Sequence, residues 1–132
     1  MRLVKFSPIK PLLLPYFANI AILVPVALGS LTGLLPIYRG HFPESPGWRT
    51  IAGSLWTGIL VCSVAGVFQP TVFAPILLLQ VIYKAVWLVF YVLPRLRNES
   101  TRKEIHWGIA GSFLLIVMLY PVVIPWRALF PQ

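Results

Sequence analysis

Residues 71–94 read TVFAPILLLQVIYKAVWLVFYVLP, and the only charged side chain among them is Lys84, near the middle. A helix of about 20 apolar residues crosses the hydrocarbon core of a bilayer, which is about 30 Å thick. The stretch therefore predicts a membrane-spanning helix with a lysine deep inside it. A charge at that depth costs about 2.5–3.5 kcal/mol on insertion scales, so its presence indicates a function.

Three further apolar stretches are long enough to span a bilayer: residues 12–36, 50–69 and 105–125. Across the chain 58% of residues are hydrophobic and 11% are charged, whereas soluble domains average about 25% charged residues. The polar stretches between the apolar ones are only as long as loops. We therefore predict an all-α protein, an integral membrane four-helix bundle that occupies residues 1–132 as a single transmembrane domain.

The net charge of +8 comes from basic residues that flank the apolar stretches. Residues in that position lie at the depth of the lipid headgroups, so the expected partners are the bilayer and its anionic lipids, and not nucleic acid. Four spans divide the basic residues almost evenly between the two sides of the membrane. The orientation therefore stays open, and so does insertion in both orientations as a dimer.

Polar and aromatic side chains accompany Lys84 at helical spacing, namely Gln80, Tyr83 and Trp87. Side chains three or four residues apart lie on one face of a helix. Asn19 supplies a further polar group in the first span, close to a proline that is expected to kink it. These positions form the predicted ligand-binding site.

The partner of Lys84 is not evident, because none of the four stretches contains an aspartate or a glutamate. Three explanations are open. Desolvation leaves the lysine uncharged, or the lysine pairs with Asn19 or with carbonyls freed by Pro25. In the third, it binds an anion from a lipid, a ligand or another subunit. Extension of its side chain to the membrane surface is a further alternative. Arg49 is also a candidate site residue, since it opens the second span and is placed to bind Glu44 or a lipid phosphate.

Small residues recur at every fourth position of the second span: Ser54, Gly58, Cys62 and Gly66. Such a stripe lets two helices approach closely in lipid. We expect it to be a packing face, with a dimer interface as the alternative, so that Gly58→Leu would disrupt the bundle. The very short link between the second and third spans predicts a tight antiparallel hairpin.

The sequence carries no strong catalytic signature, and no catalytic residue is predicted. Two pairs on one side of the membrane contain a histidine and a glutamate, His41 with Glu44 and Glu104 with His106. Two histidines in loops are too few for a metal site to be predicted. No cofactor is identified either.

Three segments carry a resemblance to known proteins: GWR at 47–49, GSLW at 53–56 and LQVIYKAVW at 79–87. Their order resembles that in small four-span bacterial membrane proteins of the broad DoxX-like kind. The resemblance implies a four-helix bundle in the bacterial cytoplasmic membrane, and some such proteins associate with quinone-linked oxidoreductase complexes. Carried over to this chain, it implies these pocket positions: Arg49, Gln80, Tyr83, Lys84 and Trp87.

Two functions are compatible with these features. The first is a non-enzymatic accessory or interaction protein that binds a lipid- or quinone-like molecule at Lys84, as a homodimer or in a larger membrane complex. The second is a small transporter or a lipid-modifying enzyme in which Lys84 is the anion-binding or acid–base group. Both place the function at the same lysine.

Overall fold

The computed structural model of the protein describes residues 9–34 and 45–132. Within these residues all regular structure is helical, so the protein is an all-α helical bundle of membrane type, as predicted. Its helices are α1 (Ile9–Thr32), α2 (Pro46–Phe68), α3 (Ala74–Trp87), α4 (Leu93–Leu96), α5 (Glu99–Arg102), α6 (Trp107–Val123) and α7 (Trp126–Leu129), and a π-helical turn (Leu88–Val92) joins α3 to α4.

Helix α1 runs through Pro15 and Pro25 and ends before Gly33, which has a φ of 74°. Glycine adopts this left-handed conformation without steric penalty, so it is suited to end the helix here. The predicted first span of residues 12–36 is therefore displaced toward the N-terminus. Pro36 lies outside the described residues.

The other long helices also begin at recognisable residues. The side chain of Ser45 accepts a hydrogen bond from the Trp48 amide and caps α2, and Pro46 takes the first position, where no backbone donor is needed. The predicted start at residue 50 was therefore four residues late. Pro75 likewise lies in the first turn of α3, which begins at Ala74 and not at residue 71.

The third apolar segment continues from α3 through the π-helical turn and α4, so that Ala74–Leu96 is helical over 23 residues. The π-helical turn ends two residues before Pro94, whose ring cannot fit an undistorted α-helix. Helix α6 begins after His106, which caps it, and ends at Val123, so it is 17 residues long and shorter than the predicted 105–125. Among the described residues, three helices are long and apolar enough to cross a membrane.

The long helices associate as two pairs, α1 with α2 and α3 with α6, and the pairs meet more sparsely through α1 with α6 and α2 with α3. The short link predicted between the second and third spans is present, but α2 and α3 contact each other only sparsely, so they do not form a closely packed hairpin. Tyr16 of α1 is fully buried next to the turn that joins α2 to α3. Its hydroxyl donates a hydrogen bond to the Pro70 carbonyl in that turn at 2.6 Å. The ring of Tyr16 packs with Leu77 in the core.

The packing face of α2 differs from the predicted stripe. Its buried residues are Gly53, Ile59, Ser63 and Gly66. By contrast, Ser54 and Gly58 are exposed, and a side chain at Gly58 would meet open space. Only Gly66 belongs to both sets. A shift of one residue turns a helix face by about 100°, which is enough to separate the predicted stripe from the real interface.

Candidate functional site

Lys84 lies in the last turn of α3, near the middle of the continuous helical stretch Ala74–Leu96, and is only 3% exposed. Its Nζ donates to Gln80 Oε1 at 3.1 Å, one helical turn away, and also to the hydroxyl of Tyr83. The same atom lies 4.1 Å from the ring centroid of Tyr83 and 4.9 Å from that of Phe113 on α6. The ammonium group is therefore held between two oxygens and two aromatic rings inside the bundle.

A cavity of about 210 Å³ adjoins the lysine. Polar side chains from all four long helices line it: Asn19 from α1, Trp56 from α2, Gln80, Tyr83 and Lys84 from α3, and Ser112 from α6. The remaining wall is mainly aliphatic and aromatic. Four of the predicted site residues, Asn19, Gln80, Tyr83 and Lys84, thus share one cavity.

Gln80 is the second buried polar group in the cavity wall, with 1% of its surface exposed. Its Oε1 accepts from Lys84, but its Nε2 has no hydrogen-bond partner among the described residues. A buried donor without an acceptor costs about 1–3 kcal/mol. The amide is therefore expected to find an acceptor in whatever fills the cavity.

No carboxylate of the described residues contacts Lys84. Glu104 forms an ion pair with Arg95 at 3.0 Å, and Glu99 is exposed at the start of α5. Glu44 lies outside the described part of the chain. The Lys84 amino group thus has neutral oxygens and aromatic rings as its described neighbours.

Asn19 belongs to a separate polar network, although it lines the same cavity. Its Nδ2 donates to Ser63 Oγ at 2.9 Å, and its Oδ1 accepts from the hydroxyl of Tyr120. Ser63 in turn donates to the Ile59 carbonyl at 2.7 Å. Pairing of Lys84 with Asn19, one of the alternatives open from the sequence, is therefore not formed, because the amide already joins α1 to α2 and α6.

Trp87 lies in the wall of a second cavity of about 260 Å³, together with Ala52 and Leu55 of α2. The two cavities have four residues in common: Trp56, Tyr83, Ile109 and Phe113. The rings of Trp87 and Tyr83 both meet Phe113 edge to face, with centroids 5.2 Å and 6.0 Å away. Aromatic side chains therefore line the boundary that the cavity at Lys84 shares with the second cavity.

Arg49, the remaining predicted site residue, lines neither cavity. Its guanidinium packs against Gly33 at the end of α1, and its Nε is buried without a described partner. The structure therefore separates Arg49 from the lysine. Its predicted contact with Glu44 involves a residue outside the described ranges.

Several cavity residues were not predicted as part of the site, namely Trp56, His106, Ser112 and Phe113. Phe113 and Ser112 reach the cavity because α6 packs along α3, and no local pattern in the sequence indicates that pairing. His106 caps α6 by accepting from the Ile109 amide at 3.2 Å through Nδ1. Within residues 9–34 and 45–132 no three potential metal ligands come together.

Comparisons with models of protein families, with curated proteins and with solved structures find no match for this chain.

Proposed function

We propose that this protein is a multi-pass integral membrane protein, a four-helix bundle that serves as an accessory or interaction subunit and binds a lipid- or quinone-like molecule in the cavity at Lys84. The three long apolar helices and the shorter α6 support the membrane assignment. A bacterial cytoplasmic membrane, anionic lipids as partners, and a homodimer or larger complex belong to the same proposal, in agreement with the DoxX-like resemblance.

The observation that carries the proposal is an excess of hydrogen-bond donors over acceptors at the cavity. In its protonated form Lys84 has three N–H groups and uses two of them on Gln80 and Tyr83. The Gln80 Nε2 group has two more and no described acceptor. A ligand that offers only acceptor oxygens would satisfy both side chains, as a carboxylate, phosphate or quinone carbonyl does.

The size and walls of the cavity support a ligand that is mainly apolar. An engineered protein cavity of about 150 Å³ holds benzene, so the 210 Å³ beside Lys84 accommodates a ring or a headgroup with a short piece of chain. A complete phospholipid does not fit. The polar end of an amphipathic molecule does.

Lys84→Met tests the proposal directly, because methionine keeps an unbranched side chain of nearly the same length and removes the amino group. We expect affinity for the ligand to fall about tenfold or more, since a hydrogen bond to a charged group contributes about 1.5–3 kcal/mol. Binding of palmitate and of a decyl-substituted benzoquinone would be measured by native mass spectrometry of the protein in lipid nanodiscs. The two compounds distinguish a carboxylate from a quinone headgroup.

Lys103→Met is the matched control, because Lys103 is exposed in the polar segment that precedes α6. It should leave binding of both compounds unchanged. Equal binding by the Lys84 and Lys103 variants would contradict the proposal, as would the absence of any binding to the unaltered protein.

A further inference from the structure

The second cavity adjoins the first and has no charged side chain in its wall. Its polar-tipped residues are Trp56, Tyr83 and Trp87, of which Trp56 and Tyr83 also face the first cavity. The rest of its wall consists of Ala52, Leu55, Ile109 and Phe113. A cavity with this composition suits hydrocarbon.

The position of the second cavity is explained by the packing of the helices. Its walls come from α2, α3 and α6, at the place where the two helix pairs meet sparsely. Leu55 is 49% exposed on the outer surface of α2, so the cavity reaches the surface that faces lipid. A chain that occupies it would lie beside the cavity at Lys84.

We infer that the ligand is a single-chain amphiphile whose acceptor headgroup binds Lys84 and Gln80 in the first cavity while its apolar chain lies in the second. The inference rests on the proposed function. The two volumes, about 210 and 260 Å³, correspond to roughly eight and ten non-hydrogen atoms at the density of benzene in a cavity of known size. A fatty acid or a quinone with one side chain meets this requirement, and a lipid with two chains at the headgroup does not.

Aromatic residues form the wall that the two cavities share. Tyr83 contributes its hydroxyl to the bond with Lys84 and its ring to the shared wall, and the Phe113 ring packs against it edge to face. Ala52 is the smallest side chain in the second cavity, so a larger residue there would close the path of the chain. Gly58, on the same helix, faces open space and lines neither cavity.

The test uses a photoreactive fatty acid with a diazirine at mid-chain, bound to the full-length protein in nanodiscs. We expect the cross-links to map to the second cavity, at Ala52, Leu55 or Trp87. Unlabelled palmitate and decyl-substituted benzoquinone serve as competitors, and the one that displaces the probe identifies the headgroup. Cross-links found only on outward-facing residues such as Phe90 and Met118, which are 76% and 64% exposed, would overturn the inference.

Ala52→Phe should reduce labelling by the long-chain probe about tenfold, because overpacking of a filled site costs enough to change affinity by that factor. Gly58→Phe adds the same side chain on the open side of α2 and should leave labelling unchanged. Leu55→Trp replaces Ala52→Phe if the latter does not fold. Equal labelling of the blocked and control variants would overturn the inference.

Failure of the inference is distinguishable from failure of the proposed function. Butanoate carries the headgroup with almost no chain, so its binding depends on Lys84 and Gln80 and not on the second cavity. Absence of butanoate and palmitate binding to the unaltered protein, or binding of both that is insensitive to Lys84→Met, would reject the site at Lys84. Palmitate binding that requires Lys84 but is insensitive to Ala52→Phe would retain the site and reject the route of the chain.

Discussion

Gly66→Ala is the most direct test of how α1 packs against α2. A methyl group at Gly66 would overlap the ring of Tyr16, with the Cε1, Cδ1 and Cζ atoms as its nearest neighbours. Tyr16 has no exposed surface, and its hydroxyl bond to the Pro70 carbonyl, 2.6 Å long, holds the ring in place. The ring cannot move aside without loss of this bond or a shift of the helices.

The expected loss of stability follows from these contacts. Overpacking of a well-packed site costs about 1–3 kcal/mol, and loss of the tyrosine hydrogen bond would add about 0.5–1.5 kcal/mol. The better helix propensity of alanine returns up to about 1 kcal/mol. We therefore expect Gly66→Ala to lower the free energy of unfolding by about 2 kcal/mol. Gly58→Ala, in open space, should leave it unchanged or raise it slightly.

Reversible unfolding in mixed micelles with increasing SDS would measure both variants by circular dichroism. Gly53→Ala supplies an intermediate case, because its added carbon would lie 3.1 Å from the Cδ2 atom of Leu31, the flexible end of a side chain. The predicted order of stability is Gly58→Ala, then Gly53→Ala, then Gly66→Ala. Equal stability of the Gly58 and Gly66 variants would refute the packing described here.

Three further substitutions test the buried polar groups and the surface ion pair. Tyr120→Phe removes the hydroxyl that donates a hydrogen bond to Asn19. It should lower the free energy of unfolding in SDS by about 0.6 kcal/mol, the average for a side-chain hydrogen bond in a membrane. An unchanged free energy would exclude a stabilising role for that bond. Lys84→Met should stabilise the ligand-free protein, because it removes a buried charge with no described counter-ion; a less stable variant would contradict this. Arg95→Gln removes the partly exposed ion pair with Glu104 and should lower the free energy of unfolding by less than about 1 kcal/mol at low salt. A loss of stability that persists in 1 M NaCl would show that the ion pair does not stabilise the protein through its charge.

The all-α membrane fold could be predicted because it depends on properties that each segment carries alone. Apolar length sets which segments become membrane helices, and prolines and capping residues set where they begin. The contact between Lys84 and Gln80 was predictable for the same reason, since residues four apart meet on any helix. The absence of acidic residues from the apolar stretches also follows from the sequence.

Contacts between helices could not be predicted in the same way. A membrane helix is apolar on every side, so no amphipathic face indicates its neighbour. The sequence contained two overlapping sets of small residues on α2, and only close fit with Tyr16 and Ser30 of α1 selects Gly53 and Gly66 over Gly58. Asn19 is engaged by Ser63 and Tyr120 for the same reason.

The sequence by itself determined that a lone lysine lies inside a bundle of membrane helices, with a glutamine one turn away. Only the tertiary structure decided that Phe113 and Trp56 enclose this lysine, that Asn19 does not pair with it, and that a second apolar cavity adjoins the first. The physical reason is the range of the interactions. Hydropathy and helical spacing act within a segment, whereas van der Waals fit between helices joins residues distant in the chain.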